Sequence, residues 1–365
     1  MQNNENITVV IAAGGTGGHI FPGLAVAEAI KKLHPQTRVI FVGTPRGLES
    51  IILPKEGWDL QVIKVPSLKD RRGFAKFFTV LRLPKVLLQA ALLLRRHHAD
   101  LVIGVGGYTS GPMVLMGRCL GIPTAIVEHN AIPGFTNRLL ARVAKKIFLS
   151  FDDAKRFFPA ERVVFSGAPL RERIFQSARA EPPSEKFTIF CFGGSLGAKR
   201  LNTAMQEALP HLRDIAPHLA VIHQTGKEEG IDRLRAAYVQ AGVEAQVEPF
   251  IDDMGKCYAK AHLVVARAGA TTVAELAALR KPSILVPYPH AADDHQRANA
   301  ETLTRIGGAI MLRDEECTGE TLASEIRKYD ADRNLLQGME ARLQSLPAQN
   351  AATTIVEQCW GMVNV

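Results

Sequence analysis

At 365 residues, 47% of them hydrophobic, the chain is long enough for two domains of ordinary size, each with its own core. Its 44 Lys and Arg against 36 Asp and Glu leave a net charge of +8, which points to an anionic partner without choosing among nucleic acid, phosphorylated substrate and membrane surface. Aromatics at only 6% argue against a stacking platform for nucleic acid.

The five cysteines (Cys119, Cys191, Cys257, Cys317 and Cys359) are scattered, odd in number and without a C-x-x-C pair, so a reducing compartment and no metal site are expected. The polar start, Met1-Gln2-Asn3-Asn4-Glu5-Asn6, lacks the basic and apolar regions of a signal peptide. The longest apolar run, near residues 86–94, is interrupted by Gln89 and is too short to span a bilayer. The expectation is a protein that touches a membrane at most from outside it.

The first element is an apolar strand over residues 8–13, followed by Gly14-Gly15-Thr16-Gly17-Gly18-His19 and a helix beginning near Leu24. Glycines at a strand-to-helix turn allow positive φ and close backbone approach, and the helix start presents unpaired N–H groups, so an anion is the expected guest. A dinucleotide turn fails the test: Ile20 stands at the third glycine's place, and the second strand, residues 38–43, runs into Thr44-Pro45-Arg46 without a carboxylate. No Gly-Lys-Ser/Thr follows, which excludes a P-loop.

Further strands are read at residues 60–65, 101–105, 124–127, 146–151 and 162–166, alternating with helical segments, which predicts a parallel sheet covered on both faces. Between Asp70 and His98, the residues Phe74, Phe77, Phe78 and Leu81 share one helical face, with Arg72 and Lys76 on the other. Such a helix either docks on its own core or dips into the headgroups of an anionic membrane. A second glycine loop, Gly104, Gly106, Gly107, Tyr108 through Pro112, ends the strand at 101–105; with the first it can form one pocket wide enough for a diphosphate. Glu128-His129-Asn130 follows the next strand, and Asn130 is either a site residue or a turn residue ahead of Ile132-Pro133-Gly134.

Past Ser166-Gly167-Ala168-Pro169-Leu170-Arg171 the composition changes, and residues 179–186 read as a linker. Domains are expected at 1–167 and 168–347, with a final helix in 348–365 packing back on the first. The second half repeats the architecture: a strand at 187–192, the loop Gly193-Gly194-Ser195-Leu196-Gly197, a helix at 199–209, and strands at 220–223, 263–266 and 283–287. Ala270-Thr271-Thr272-Val273-Ala274-Glu275 opens a helix and suits a phosphate. Thr272 and Glu275 also have capping-box spacing, in which the glutamate merely returns to the N-cap amide. His290, Asp293, Asp294 and His295 lack regular ligand spacing, and neither a metal nor any other cofactor is expected.

These motifs, in this order, resemble the MurG family, the bacterial transferases that add N-acetylglucosamine to the lipid-linked muramyl-pentapeptide precursor of peptidoglycan. The likeness runs over residues 9–312. It implies an α/β chain of GT-B type, two Rossmann-like parallel-sheet domains facing across a cleft. UDP-N-acetylglucosamine would be held mainly by the second domain, and the undecaprenyl-diphosphate-linked acceptor by the first, at the cytoplasmic membrane face. Carried over by position, Thr16, Gly17, Gly18 and Asn130 approach the donor sugar, and Arg171 and Ser195 the donor diphosphate. Ile251 meets the uracil, residues 270–275 the phosphates and ribose, and Gln296 the sugar hydroxyls. Gly14, Gly15, Gly106, Gly107 and Tyr108 are the candidates for the acceptor diphosphate. Ala168 stands where the family commonly has Asn.

The implied transfer inverts an α-linked donor to a β-1,4 product, and a single in-line displacement needs a base on the acceptor hydroxyl and stabilisation of the departing diphosphate. His19 is the candidate base, because the positive end of a helix dipole disfavours imidazolium; the alternative is that it only caps the helix or orients the lipid diphosphate. A UDP-sugar 2-epimerase of the same fold, or a non-catalytic sugar-nucleotide-binding subunit, would use the same glycine loops.

Overall fold

The structure is a computed structural model and describes residues 7–15, 17–65, 83–182, 184–194, 197–226, 230–346 and 351–363. The chain divides into two compact units, Met1–Arg171 with Gln349–Val365, and Glu172–Ala348.

The first unit is built on seven parallel strands: β1 (Thr8–Ala13), β2 (Arg38–Gly43), β3 (Asp59–Val62), β4 (Leu101–Gly106), β5 (Thr124–Glu128), β6 (Lys146–Leu149) and β7 (Val163–Phe165), in the order β3-β2-β1-β4-β5-β6-β7. Strands such as TVVIAA are buried at every position because both faces of the sheet are covered. Val9, Ile11 and Ala13 point into one core and Val10 and Ala12 into the other, as the two-residue period of a strand requires. The connecting helices are α1 (Gly17–Leu33), α2 (Glu49–Lys55), α3 (Leu83–Arg96), α4 (Ser110–Cys119) and α5 (Phe135–Leu140).

The second unit repeats the scheme with β8 (Phe187–Phe192), β9 (Leu219–Gln224), β10 (Glu244–Glu248), β11 (Leu263–Ala266), β12 (Ser283–Leu285) and β13 (Ala309–Met311), all parallel, ordered β10-β9-β8-β11-β12-β13. Its helices are α6 (Glu172–Ala180), α7 (Lys199–Ala208), α8 (Ile231–Ala241), α9 (Met254–Lys260), α10 (Ala270–Ala278), α11 (His295–Thr304), α12 (Gly319–Ala331) and α13 (Asn334–Gln344). The last helix, α14 (Ala351–Val363), belongs to the first unit, where Ile355, Val356, Cys359 and Met362 enter the core and Trp360 stacks on His34 with centroids 4.0 Å apart.

Several expectations shift. Helix α1 starts at Gly17, not near Leu24, so His19 lies inside its first turn; Pro22, also within the helix, withholds only one N–H close to the helix start. Helix α4 begins at Ser110. Strand β3 ends at Val62, and β10 and β13 form where no strand is expected: β10 lies at a sheet edge with only Ala245 and Val247 turned to the core, and β13 has three residues. The linker-like stretch at 179–186 begins inside α6, which packs on α9 so closely that a Cβ on Gly255 would lie 2.5 Å from the Ile174 carbonyl oxygen. The first unit includes the chain through Arg171, whose guanidinium bonds to Glu28 within it. The Phe74, Phe77, Phe78 and Leu81 face lies outside the described residues. Helix α3, just after it, buries Val86, Ala90 and Leu94 and leaves Leu88 and Leu92 exposed.

Candidate active site

In the first unit the strand order runs outward in opposite directions from β1 and β4, and the loops leaving these two strands line the crevice where α/β sheets bind ligands. The two loops touch backbone to backbone. Gly107 has φ +79°, and a Cβ there would sit 2.0 Å from the Gly14 carbonyl oxygen, so only glycine fits. Gly106, at φ +107°, lies against the His19 ring: a Cβ would come within 2.5 Å of His19 Nδ1. On its other side, His19 meets the edge of His129, with centroids 4.8 Å apart at 67°. Ser110 locks the second loop, its Oγ accepting from Gly106 N at 2.9 Å and lying 2.9 Å from the Ala12 carbonyl oxygen.

The residues that hold this arrangement were not legible as site residues. Glu49, wholly buried, accepts from Gly15 N (3.0 Å), Thr44 N (2.7 Å) and Thr44 Oγ1 (2.8 Å). A carboxylate therefore does reach the first loop, from α2 rather than from the end of β2, and it is used to fix the loop. The motif signal was Gly47 two residues earlier, where a Cβ would lie 2.0 Å from a Glu49 carboxylate oxygen. At the end of β5, Glu128 accepts from the backbone N of Asn130 (2.9 Å), Asn130 Nδ2 (3.1 Å), Gly134 N (3.1 Å) and Asn137 Nδ2 (2.9 Å). Burial pushes its carboxyl above the ordinary range, and these four donors oppose the shift. Asn130 is thus oriented by a buried acid.

Arg171, expected at the donor diphosphate, is held by two carboxylates. Its guanidinium meets Glu28 (Nε to Oε1, 2.8 Å) and grips Glu56 with both terminal nitrogens (3.0 and 2.8 Å). Burial lowers its basicity, but the bonds to Glu56 and Glu28 outweigh it and raise the pKa above its ordinary value.

In the second unit the corresponding crevice lies between β8 and β11. Gly194 (φ +84°) and Gly197 (φ +78°) shape the loop after β8; Ser195, between them, lies outside the described residues, as Thr16 does in the first unit. Gln224 ties this loop to the next: its Nε2 donates to the Gly194 carbonyl (3.0 Å) and its Oε1 accepts from Ile251 N (3.0 Å). Beneath them His223, wholly buried between Tyr238 and Asn202, is pushed down to about 4 by burial and is neutral at physiological pH.

Helix α10 starts after the N-cap Gly269, which offers no side-chain cap to its amides. Ala270, Thr271 and Thr272 form the first turn, and the buried Thr271 hydroxyl has no partner among the described residues. The capping-box reading of Thr272 and Glu275 is overturned: the helix begins too early for Thr272 to cap it, and Glu275 accepts from Tyr258 Oη at 2.7 Å instead. Arg267 donates to the Val286 and Pro287 carbonyls, after β12, and to Asp314, after β13, at 2.6 Å. Gln296 receives Tyr288 N on Oε1 at 3.0 Å. Among the described residues no group of three or more His, Cys, Asp or Glu is placed to hold a metal ion; Asp294 pairs with Arg297 and His295 with the Ala292 carbonyl.

Comparison with known proteins bears on both units. Residues 9–149 match the glycosyltransferase family 28 N-terminal domain and residues 188–358 the family 28 C-terminal domain. The UDP-N-acetylglucosamine--N-acetylmuramyl-(pentapeptide) pyrophosphoryl-undecaprenol N-acetylglucosamine transferase of Myxococcus xanthus is 44% identical over 96% of this chain and 92% of its own length. The crystal structure of Acinetobacter baumannii MurG aligns with a TM-score of 0.78 at 33% identity, covering 98% of this chain and all of that one. The chain belongs to the MurG family. The UDP-GlcNAc 2-epimerase of Neisseria meningitidis aligns over 97% of the chain with a TM-score of 0.68 but only 12% identity, so it shares the fold and shows no more. Both family 28 domains end their strands in glycine loops at a switch point, and in the MurG family member described here each loop is fixed by a side chain from elsewhere in its own unit: Glu49 in the first, Gln224 in the second.

Proposed function

We propose that this chain transfers N-acetylglucosamine from UDP-N-acetylglucosamine to the 4-hydroxyl of a lipid-diphosphate-linked N-acetylmuramyl-pentapeptide, inverting the anomeric centre. The observation that carries this reading is the identity, spanning both units, to a relative named for that transfer. The first unit would take the acceptor and the second the nucleotide sugar.

In this reading the amides of Gly14, Gly15, Gly106 and Gly107, with Tyr108 beside them, take the lipid diphosphate, and Thr16, Gly17, Gly18 and Asn130 take the donor sugar. His19 removes the proton from the attacking hydroxyl; its ring, wedged between Gly106 and His129, has little freedom to leave that position. The unpaired amides at the start of α10, with Thr271, Thr272, Val273 and Ala274, stabilise the departing diphosphate together with Ser195. Ile251 meets the uracil, Glu275 the ribose hydroxyls and Gln296 the sugar. For Arg171 to join the diphosphate, it must exchange one of its two carboxylates for phosphate oxygens.

We also infer that the first unit rests on an anionic membrane surface, peripherally and from the cytoplasmic side. A cavity of about 400 Å³ is lined by Arg118, Arg142, Lys145 and Arg162 with no acidic residue among its lining. Exposed Leu88 and Leu92 sit on α3 with Lys85, Arg95 and Arg96. Among the described residues no helix is long and apolar enough to cross a membrane.

The test is UDP release from UDP-N-acetylglucosamine with and without the lipid-linked acceptor. Acceptor-dependent release supports transfer; isomerised sugar without acceptor supports an epimerase; binding without turnover supports a non-catalytic subunit. His19→Ala is expected to lower kcat by about two to four orders of magnitude, and turnover close to wild type would remove His19 as the base.

A further inference from the structure

Glu275 is an acid placed where an acid is costly. Its carboxylate is 8% exposed, and among the described residues no lysine or arginine pairs with it. Among the described residues its carboxylate's hydrogen-bond partner is Tyr258, on α9, which is wholly buried and held edge-on by Phe190 and Phe192 at centroid distances of 5.4 and 6.0 Å. A phenol confined in this way holds its oxygen in place, and the carboxylate takes its O–H on Oε2 at 2.7 Å. Among the described residues nothing donates to Oε1, the oxygen a ligand would meet.

We propose that Tyr258 is a positioning residue for the nucleotide: its phenol orients the Glu275 carboxylate and favours its charged form, so that the ribose hydroxyls of a uridine diphosphate sugar meet a charged acceptor. The inference rests on the reading of Glu275 as the ribose ligand. A charged acceptor makes the stronger hydrogen bond, and a glutamate that is protonated has to release its proton when the nucleotide binds.

The surroundings fix the sign. Burial raises Glu275 to about 7, and the Tyr258 hydrogen bond is what opposes that rise. Tyr258 itself is pushed well above its ordinary range, by burial first and then by the Glu275 charge, so it stays a donor throughout. Cys257, next to it, is raised to about 11 by burial and is neutral. Asp253 caps α9, Arg267 is committed to Asp314, and on α11 Arg297 is committed to Asp294 and Glu301. With the phenol removed, the glutamate should ionise at higher pH.

The test is the affinity of the full chain for UDP-N-acetylglucosamine, whose diphosphate does not titrate in the range, measured by calorimetry from pH 5.5 to 8.5. Wild type should lose affinity as pH falls through about 7, approaching tenfold per pH unit. Tyr258→Phe should move that midpoint up by about one pH unit, bind about tenfold more weakly at pH 7 and recover towards wild type at pH 8.5. Glu275→Gln should bind weakly with a nearly flat profile. Site-specific 3-fluorotyrosine at position 258, a stronger donor of the same shape, should move the midpoint down, which keeps the test available if the phenylalanine variant does not fold. If Glu275→Gln binds as wild type does, the ribose reading fails. If Glu275→Gln weakens and flattens binding while Tyr258→Phe and the fluorotyrosine protein follow the wild-type curve, Tyr258 has no positioning role.

Discussion

Two buried groups pull the stability of the second unit in opposite directions with pH. His223 has its folded pKa lowered from 6.5 to about 4, so its neutral, hydrogen-bonded form contributes stability that is present above pH 6.5 and lost as pH falls towards 4. Glu275 has its folded pKa raised from 4.5 to about 7, so its contribution is present below pH 4.5 and lost as pH rises through 7. Each is worth on the order of 3 kcal/mol at its extreme, and their near-cancellation hides both. Glu275→Gln should separate them: urea unfolding of the ligand-free protein at pH 8 should show a gain of about 1–3 kcal/mol, with none at pH 5. The same variant should then lose stability steadily from pH 6.5 to 4 as His223 titrates. In the first unit, Arg171→Met leaves Glu28 and Glu56 facing each other without their cation; with both acids partly solvated, a loss of about 2–3 kcal/mol in the same assay is expected, below the cost of breaking a fully buried pair.

At the level of elements, the two loops of the first unit depend on glycine for contact as well as for conformation. Gly106→Ala adds a Cβ at a positive φ and drives it into the His19 ring, so kcat is expected to fall at least about a hundredfold. Affinity for UDP-N-acetylglucosamine, assigned to the second unit, should hold within about threefold; equal loss of both would contradict the division of labour. The glycine loops, the parallel strands and the succession of units were legible because glycine at a strand end and unbroken Val and Ile runs have few other uses. Strands β10 and β13 were not legible, since an edge strand such as Glu244–Glu248 alternates only two small apolar residues, Ala245 and Val247, between charged and polar ones, and a three-residue strand carries no period. Glu49, Gln224 and Tyr258 escaped for another reason: each lies far along the chain from the loop or acid it holds, and only folding brings them together. The capping-box spacing of Thr272 and Glu275 misled because helix α10 starts three residues earlier than that motif needs.

For the whole molecule, the net charge of +8 finds a local expression in the Arg118, Arg142, Lys145 and Arg162 cavity. Sedimentation with anionic vesicles should show binding that weakens with salt and with Leu88→Ser/Leu92→Ser or Phe77→Ser, while neutral vesicles bind little; folded variants that sediment as wild type would leave these residues without a membrane role. The reaction itself is tested most directly by following labelled N-acetylglucosamine from the nucleotide sugar into an organic-extractable product and reading the configuration of the new bond by NMR. The account predicts that label becomes extractable only when the muramyl lipid is present and that the new linkage is β. Label that remains in the aqueous phase as an isomerised sugar, or an α-linked lipid product, would contradict it.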